Sequence, residues 1–218
     1  MKIKVIQDLI CPWCYIGHHN LETAIGEWTS EHGGHFELQW LPYQLDPIEP
    51  GTPQQQFRQR FKDRKHATDE QIDAMFERVT QAGAAVGITF RFDLIEVAVD
   101  TAPGHIAIAN TPSAKQPALV QALYKTYFEA GKDIGTTAVI LEAATAAGPT
   151  EDEQAAIETA LADDAARETL ESRVRQVQAA GVTGVPYFVI DGRFGLSGGQ
   201  PPDVFKQVFA QALEPALA

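Results

Sequence analysis

The sequence contains two cysteines, and they stand close together as Cys11-Pro12-Trp13-Cys14. Paired thiols of this kind exchange disulfides: one attacks as a thiolate, and the other attacks the mixed disulfide and releases the substrate. A helix that begins at the first cysteine favours its thiolate, because unpaired backbone N–H groups and the positive end of the helix dipole face the sulfur. Pro12 suits the first turn of such a helix, and Trp13 offers apolar surface for a substrate. The spacing therefore predicts that Cys11 is an exposed nucleophile and that Cys14 is the resolving cysteine.

Zinc binding is the alternative chemistry for this spacing. A structural zinc site requires four ligands, and the chain has no second cysteine pair. A four-cysteine site within one chain is therefore excluded, and only a site shared between two chains would fit. We expect no bound metal.

The elements around the cysteines follow from the hydrophobic pattern. Residues 2–8 alternate polar and apolar side chains, which predicts a strand, and apolar residues at helical spacing predict a helix over 15–28. Alternation over 36–41 predicts a second strand. Together these elements form a βαβ unit, with the cysteines at the N-terminus of its helix.

Helical patterns fill most of the chain from residue 46 to residue 181. Thr68 with Gln71 and Thr150 with Glu153 match the capping box, and only residues 88–92 show strand-like alternation. Strands return at 187–190 and 193–196, joined by a strong hairpin signal at Asp191-Gly192, before a last helix over 203–213. We predict an α/β fold in which residues 1–45 and 182–218 form a discontinuous domain around one sheet. Residues 46–181 form an inserted helical domain.

Val185-Pro186 is a second feature that could act at the cysteines. A proline at the start of a strand can take a cis peptide bond, because its tertiary amide reduces the cost to about 0.5–1 kcal/mol. Such a turn beside the cysteine helix would leave the Val185 backbone able to pair with an extended substrate. A trans proline that begins an edge strand is the equally supported alternative.

These features together resemble the thioredoxin superfamily, specifically its DsbA-like group with a helical insertion and, within that group, the FrnE-like branch. The resemblance spans essentially the whole chain and rests on Cys11-Pro-Trp-Cys-Tyr-Ile-Gly17, Gly184-Val-Pro-Tyr-Phe-Val189 and Ser197-Gly-Gly-Gln-Pro201. It implies a thioredoxin fold (βαβ…ββα) with a large helical insertion. It also implies a nucleophilic Cys11, a resolving Cys14 and a substrate-facing loop at Val185 and Pro186.

Two histidines have roles that the sequence leaves open. Related sequences commonly carry an Asn-Thr…Ala-His-Arg stretch, where this chain has Asp100-Thr-Ala-Pro-Gly-His105-Ile. We expect His105 to be a packing or surface residue rather than a catalytic one. His18 shares a helical face with Cys14 and could donate charge toward a thiolate, although a solvated surface position is the favoured interpretation.

One helical segment is strongly basic although the chain as a whole is acidic. The segment carries Arg58, Arg60, Lys62, Arg64 and Lys65. A solvated helix face is the favoured interpretation of such a run. A docking patch for an acidic partner is the alternative.

The overall charge excludes several classes of partner. The 218 residues include 17 Lys and Arg against 29 Asp and Glu, a formal net charge of −12. Nucleic-acid binding needs a surplus of basic residues, and anionic membrane surfaces repel an acidic protein. The sequence shows neither a signal peptide nor a membrane span. We therefore expect a cytoplasmic protein, in which a cysteine pair serves chemistry rather than structure.

We expect a thiol–disulfide oxidoreductase that acts on protein or small thiols, with no tightly bound cofactor and with glutathione as a co-substrate. Because Pro12-Trp13 carries no charge, we expect a redox potential between those of thioredoxin and DsbA. One alternative is a glutathione-dependent transferase or isomerase of the kappa-class or hydroxychromene-carboxylate isomerase type, whose members use a serine near the first cysteine position. The other is a redox-switched binding module.

Overall fold

The computed structural model describes residues 1–214. Its centre is a four-stranded sheet in the order β2-β1-β3-β4. The strands are β1 (Lys2–Gln7), β2 (Glu37–Pro42), β3 (Tyr187–Ile190) and β4 (Phe194–Ser197). β2 runs parallel to β1, β3 is antiparallel to β1, and β4 is antiparallel to β3. The predicted thioredoxin fold is confirmed.

β1 is a central strand and leads directly to the cysteines. Its Val5 pairs with Trp40 of β2 on one side and with Phe188 of β3 on the other. All three side chains are buried, which explains why β1 has an apolar face within an alternating pattern. The strand ends at Gln7, and Cys11 follows after a short turn.

The hairpin between β3 and β4 forms where its two turn residues predict it. Asp191 and Gly192 have φ values of 49° and 69°. The connection between the paired residues Ile190 and Phe194 has three residues, 191–193, rather than the two that the sequence predicts. Gly and Asp tolerate its positive φ values better than most residues. The Asp191 carboxylate also accepts a hydrogen bond from the backbone N–H of Lys2, at 2.6 Å. The turn is therefore tied to the start of β1.

Helices make up most of the chain between β2 and β3, as the sequence predicts. α1 packs against α9, whereas α4 and α8 contact β2. The boundaries of the two predicted domains stay a prediction. The part of the chain that the structure describes contains these α-helices: α1 (Pro12–His32), α2 (Phe57–Lys65), α3 (Asp69–Ala84), α4 (Ala102–Ala109), α5 (Gln116–Tyr124), α6 (Thr137–Thr145), α7 (Glu151–Leu161), α8 (Asp164–Ala179) and α9 (Pro202–Leu213).

Both predicted capping boxes are present and begin α3 and α7. The Thr68 hydroxyl accepts a hydrogen bond from the N–H of Gln71 at 3.4 Å, and the Gln71 side chain accepts one from the N–H of Thr68 at 2.9 Å. Thr150 and Glu153 make the same exchange at 3.2 and 2.7 Å. Within residues 1–214, no helix has the length and apolar character needed to cross a membrane.

Residues 88–92 form no strand, although their side chains alternate as those of a strand would. The rings of Phe90 and Phe92 stack with their centroids 5.5 Å apart, and both contact Phe128. The N–H of Arg91 donates to the carbonyl of Phe128 at 2.8 Å. That carbonyl lies in a π-helical turn, Lys125–Glu129, which follows α5. The alternation reflects two rings that enter one aromatic cluster rather than a strand in a sheet.

Candidate active site

The turn after β1 fixes Cys11 at the N-terminus of α1. Cys11 is the N-cap residue, with an extended backbone, and Pro12 is the first helical residue. The N–H of Cys11 donates to the carbonyl of Asp8 at 3.1 Å, and the carbonyl of Cys11 accepts from the N–H of Cys14 at 2.9 Å. Both cysteines therefore belong to the first turn, where backbone N–H groups and the helix dipole favour a negative charge.

The two cysteines are free thiols and both are buried, which corrects the prediction of an exposed Cys11. Cys11 is 4% exposed and Cys14 is 1% exposed. Cys11 nevertheless lines a cavity of about 290 Å³, together with Pro12, Trp13 and Val185, whereas Cys14 does not line it. Of the two cysteines, Cys11 is therefore the one that borders this cavity.

The Cys14 thiol is held in its protonated form. Burial raises the pKa of Cys14 well above its usual value, and contact with Cys11 raises it further. The pair is therefore asymmetric, since one sulfur keeps its proton in a closed environment while the other faces a cavity.

The loop before β3 covers Cys11. The Val185–Pro186 peptide bond is cis, and the Cys11 thiol donates to the Val185 carbonyl across a 3.7 Å Sγ···O distance. Gly17 permits this approach of the loop to α1. A Cβ at Gly17 would lie 3.1 Å from the ring of Phe188 and 3.2 Å from the ring of Pro186. The fold thus brings Val185 and Cys11 together although 174 positions separate them.

The turn after β4 packs against the same end of α1. A Cβ at Gly199 would lie 2.9 Å from the carbonyl oxygen of Trp13, so glycine allows close contact of the two backbones. The Asn20 side chain donates to the carbonyl of Gln200 at 3.0 Å. The three motifs on which the resemblance rests therefore meet around the first turns of α1.

A polar network that the sequence does not predict lies next to the cysteine turn. Asp8 is fully buried. Its carboxylate accepts from the N–H of Leu45 at 2.6 Å and lies 3.4 Å from Nε2 of His105. The Tyr124 hydroxyl donates to the side-chain carbonyl of Gln7 and lies 3.5 Å from the Asp8 carbonyl. In the sequence, Asp8 is a carboxylate at the end of the predicted strand and three residues before Cys11, whereas no pattern in the sequence identifies Tyr124.

Tyr124 connects this network to the cysteines. Burial raises the pKa of Tyr124 well above its usual value, and the nearby Cys14 and Cys11 side chains raise it further. The hydroxyl therefore stays protonated and acts as a hydrogen-bond donor. The backbone carbonyl of Asp8, which Tyr124 approaches, also accepts from Cys11.

The two histidines are both buried. His105 packs beside Asp8, in agreement with the expected packing role. The favoured surface position for His18 is wrong, because its ring packs edge-on against Trp40 with centroids 5.2 Å apart. Burial lowers the pKa of His18 to about 3. The ring is therefore neutral at pH 7 and supplies no positive charge to a thiolate.

This buried histidine predicts an acid-sensitive contribution to stability. Unfolded chains bind a proton at histidine below about pH 6.5, whereas the folded protein does so at His18 only near pH 3. The contribution of His18 to the free energy of unfolding is therefore fully present above pH 6.5 and is lost as the pH falls toward 3. Between pH 7 and 5, His18→Leu should lose about 2 kcal/mol less unfolding free energy than the unmodified protein. Urea titrations at both pH values measure this difference.

The control for this prediction is His35→Leu, at an exposed histidine. His35→Leu should lose as much unfolding free energy between pH 7 and pH 5 as the unmodified protein does. If His18→Leu and the unmodified protein lost equal unfolding free energy over that interval, His18 would not be the acid-sensitive group.

The comparisons with known proteins agree with this architecture. Residues 2–210 match the DSBA-like thioredoxin domain family. The structure of a probable DsbA oxidoreductase from Streptomyces coelicolor aligns over 100% of this chain and 93% of that one, with 27% identity and a TM-score of 0.84. The cytosolic disulfide reductase DsbM from Pseudomonas aeruginosa, solved with GSH, aligns over 98% and 99%, with 20% identity and a TM-score of 0.68. The uncharacterized protein YwbO of Bacillus subtilis is 24% identical over 96% of both chains.

The family match covers nearly the whole chain and includes both cysteines and the Val185–Pro186 loop. The similar solved structures include proteins described as a probable oxidoreductase and a disulfide reductase. The predicted DsbA-like resemblance is therefore confirmed, whereas the FrnE-like branch stays a prediction. This chain belongs to the DSBA-like thioredoxin domain family, within the DsbA-like thiol oxidoreductases.

Proposed function

We propose that this protein exchanges disulfides through Cys11 as the nucleophile and Cys14 as the resolving thiol. The observation that carries the proposal is the asymmetry of the pair at the start of α1. Cys11 lines the cavity and lies 3.7 Å from the Val185 carbonyl, whereas Cys14 is closed off and keeps its proton because its pKa is raised.

The reaction has two steps. The Cys11 thiolate attacks one sulfur of the substrate disulfide, a Cys11–substrate bond forms, and the substrate's other sulfur leaves as a thiolate that takes up a proton. Cys14 then loses its proton and attacks Cys11, and the remaining substrate thiol leaves. Two electrons pass to the substrate, and the dithiol becomes a disulfide. The reverse sequence oxidises a substrate dithiol.

The Val185 backbone supports the binding of an extended substrate. It lines the same cavity as Cys11, and an extended chain can add to exposed backbone groups of a sheet edge or adjoining loop. Protein thiols and glutathione are the proposed substrates, and DsbM, solved with GSH, supports the second of these. Because DsbM is described as cytosolic, we also propose a cytoplasmic location.

Trapping of the mixed disulfide tests this proposal. Cys14→Ala removes the resolving thiol, so incubation with a synthetic peptide disulfide and no other thiol should leave one peptide bound at Cys11. Mass spectrometry under non-reducing conditions measures this adduct. The double variant Cys11→Ala/Cys14→Ala is the control and should form none. Absence of the adduct from Cys14→Ala would contradict the assigned roles.

A further inference from the structure

The cavity beside Cys11 has a continuous aromatic wall. The rings of Phe57 and Phe76 stack with centroids 5.8 Å apart, and those of Phe76 and Phe92 stack at 4.3 Å. Phe61 adjoins Phe57 and Phe76 at 5.8 and 5.5 Å. All four side chains are only partly buried, and all line the cavity. The wall therefore offers unfilled apolar surface within the space that Cys11 faces.

Four cations line the same cavity, and they are Arg60, Arg64, Lys65 and Arg78. Asp46 is the carboxylate among the lining residues, and Arg60 engages both of its oxygens at 2.7 Å. One carboxylate against four cations leaves an excess of positive charge here, in a chain whose formal net charge is −12. The cavity therefore combines an apolar wall with an electropositive lining.

Arg64, Lys65 and Arg78 form no hydrogen bond to a carboxylate within residues 1–214, although Arg64 and Lys65 lie over the ring of Phe61 at 5.4 and 6.0 Å. Nη1 of Arg64 is buried, lies 3.5 Å from Asp46 and has no hydrogen-bond partner within residues 1–214. Lys65 and Arg78 form no ion pair in the same part of the chain. Arg58 and Lys62, on the same helix α2, are instead paired with Asp69 and do not line the cavity. Part of the basic segment is thus a solvated, paired face, and part faces Cys11.

We propose that this cavity selects polypeptide substrates in which an acidic side chain and a large apolar side chain flank the reacting cysteine. The proposal rests on the proposed disulfide exchange and names the substrate class for that site. A carboxylate would pair with Arg64, Lys65 or Arg78, and the apolar side chain would cover the phenylalanine wall.

The aromatic wall distinguishes a polypeptide from a small thiol. Glutathione offers carboxylates to the cations but has no large apolar side chain to place against Phe57, Phe76 and Phe92. A polypeptide supplies both groups and can also pair its backbone with Val185, which lines the same cavity. The phenylalanine wall and the Val185 backbone together therefore favour a protein segment as the occupant.

The experiment compares three peptide disulfides that share a phenylalanine beside the reacting cysteine. They differ only in carrying Glu, Gln or Lys two positions from that cysteine. The unmodified protein should reduce the Glu peptide with a kcat/KM about 5-fold above that of the Gln peptide. The Lys peptide should be the poorest substrate, and added salt should narrow the differences.

Two double variants on α2 each remove two positive charges, one pair inside the cavity lining and one pair outside it. Their comparison distinguishes binding of the Glu side chain in the cavity from an effect of the protein's net charge. Arg64→Gln/Lys65→Gln should remove most of the preference for Glu, whereas Arg58→Gln/Lys62→Gln should keep it. The Arg58→Gln/Lys62→Gln variant, whose substituted residues do not line the cavity, should also reduce the Gln peptide as the unmodified protein does. Disulfide exchange and selectivity are thereby measured separately.

Three results would overturn the proposed selectivity. These are equal reduction of the Glu and Lys peptides, an equal loss of preference in both double variants, and a preference for glutathione disulfide over every peptide. Failure of the unmodified protein to reduce any disulfide would instead overturn the underlying exchange function.

Discussion

Cys11→Ser should lower kcat/KM for the reduction of a peptide disulfide by about 1,000-fold or more, equivalent to about 4 kcal/mol of transition-state stabilisation. Disulfide exchange requires a thiolate, and a serine hydroxyl ionises too weakly to replace it. Cys11 is the cysteine that lines the cavity, and Cys14 holds its proton because burial raises its pKa. Cys14 therefore should not substitute for the missing thiol. Continuous assay of a fluorescent peptide disulfide with a recycling reductant measures the loss.

The control for this variant is its stability, because serine and cysteine are similar in size. If the circular dichroism spectrum of Cys11→Ser matches that of the unmodified protein, the fall in kcat/KM results from the missing thiol and not from misfolding. Full reduction of insulin by Cys11→Ser would contradict the proposed function. Efficient turnover of glutathione and an electrophile by the same variant would favour the transferase or isomerase alternative.

The parts of this site that sequence analysis predicted depend on neighbouring residues. The start of α1 follows from Pro12 directly after Cys11, because proline fits a first helical turn. The capping boxes at Thr68 and Thr150 depend on a partner three residues away, and the hairpin turn depends on Asp191-Gly192. Each of these signals acts within one turn of the chain, so a sequence pattern can identify it without knowledge of the packing.

The parts that were wrong or missed depend on contacts between distant segments. Cys11 is buried because the Val185 loop approaches it, and no pattern near residue 11 records that contact. His18 is buried because α1 packs its face toward Trp40 of β2. Phe90 and Phe92 alternate in sequence as a strand would, although tertiary packing turns both rings toward Phe128.

The basic segment with Arg58, Arg60, Lys62, Arg64 and Lys65 is a further case in which contacts between distant segments decide the outcome. Its composition is evident from the sequence, but the division of its cations between partners and cavity is not. Arg58 and Lys62 meet Asp69 because α3 begins beside them, whereas Arg64 and Lys65 face the cavity with Cys11. Helical spacing places residues on faces, but only the position of neighbouring helices decides what each face meets.

Tyr15→Ala should destabilise the protein by about 3–5 kcal/mol, the cost of removing a large aromatic side chain from a packed core. Tyr15 follows Cys14 and is buried. Its ring stacks on Tyr124 at 4.9 Å and meets Phe90 edge-on at 5.9 Å, so it joins the cysteine helix to the aromatic cluster of the helical segment. Urea unfolding followed by circular dichroism measures the change.

Tyr15→Phe is the matched control, because it keeps the ring and removes only the hydroxyl, which donates to the Glu129 carboxylate at 2.6 Å. Burial and the charge of Glu129 raise the pKa of Tyr15 above its usual value, so this hydroxyl remains a donor at neutral pH. Its loss should cost about 1–2 kcal/mol. An alanine variant no less stable than the phenylalanine variant would contradict the packing argument. A larger loss for alanine would show that packing of the ring contributes more to stability than the hydrogen bond of its hydroxyl.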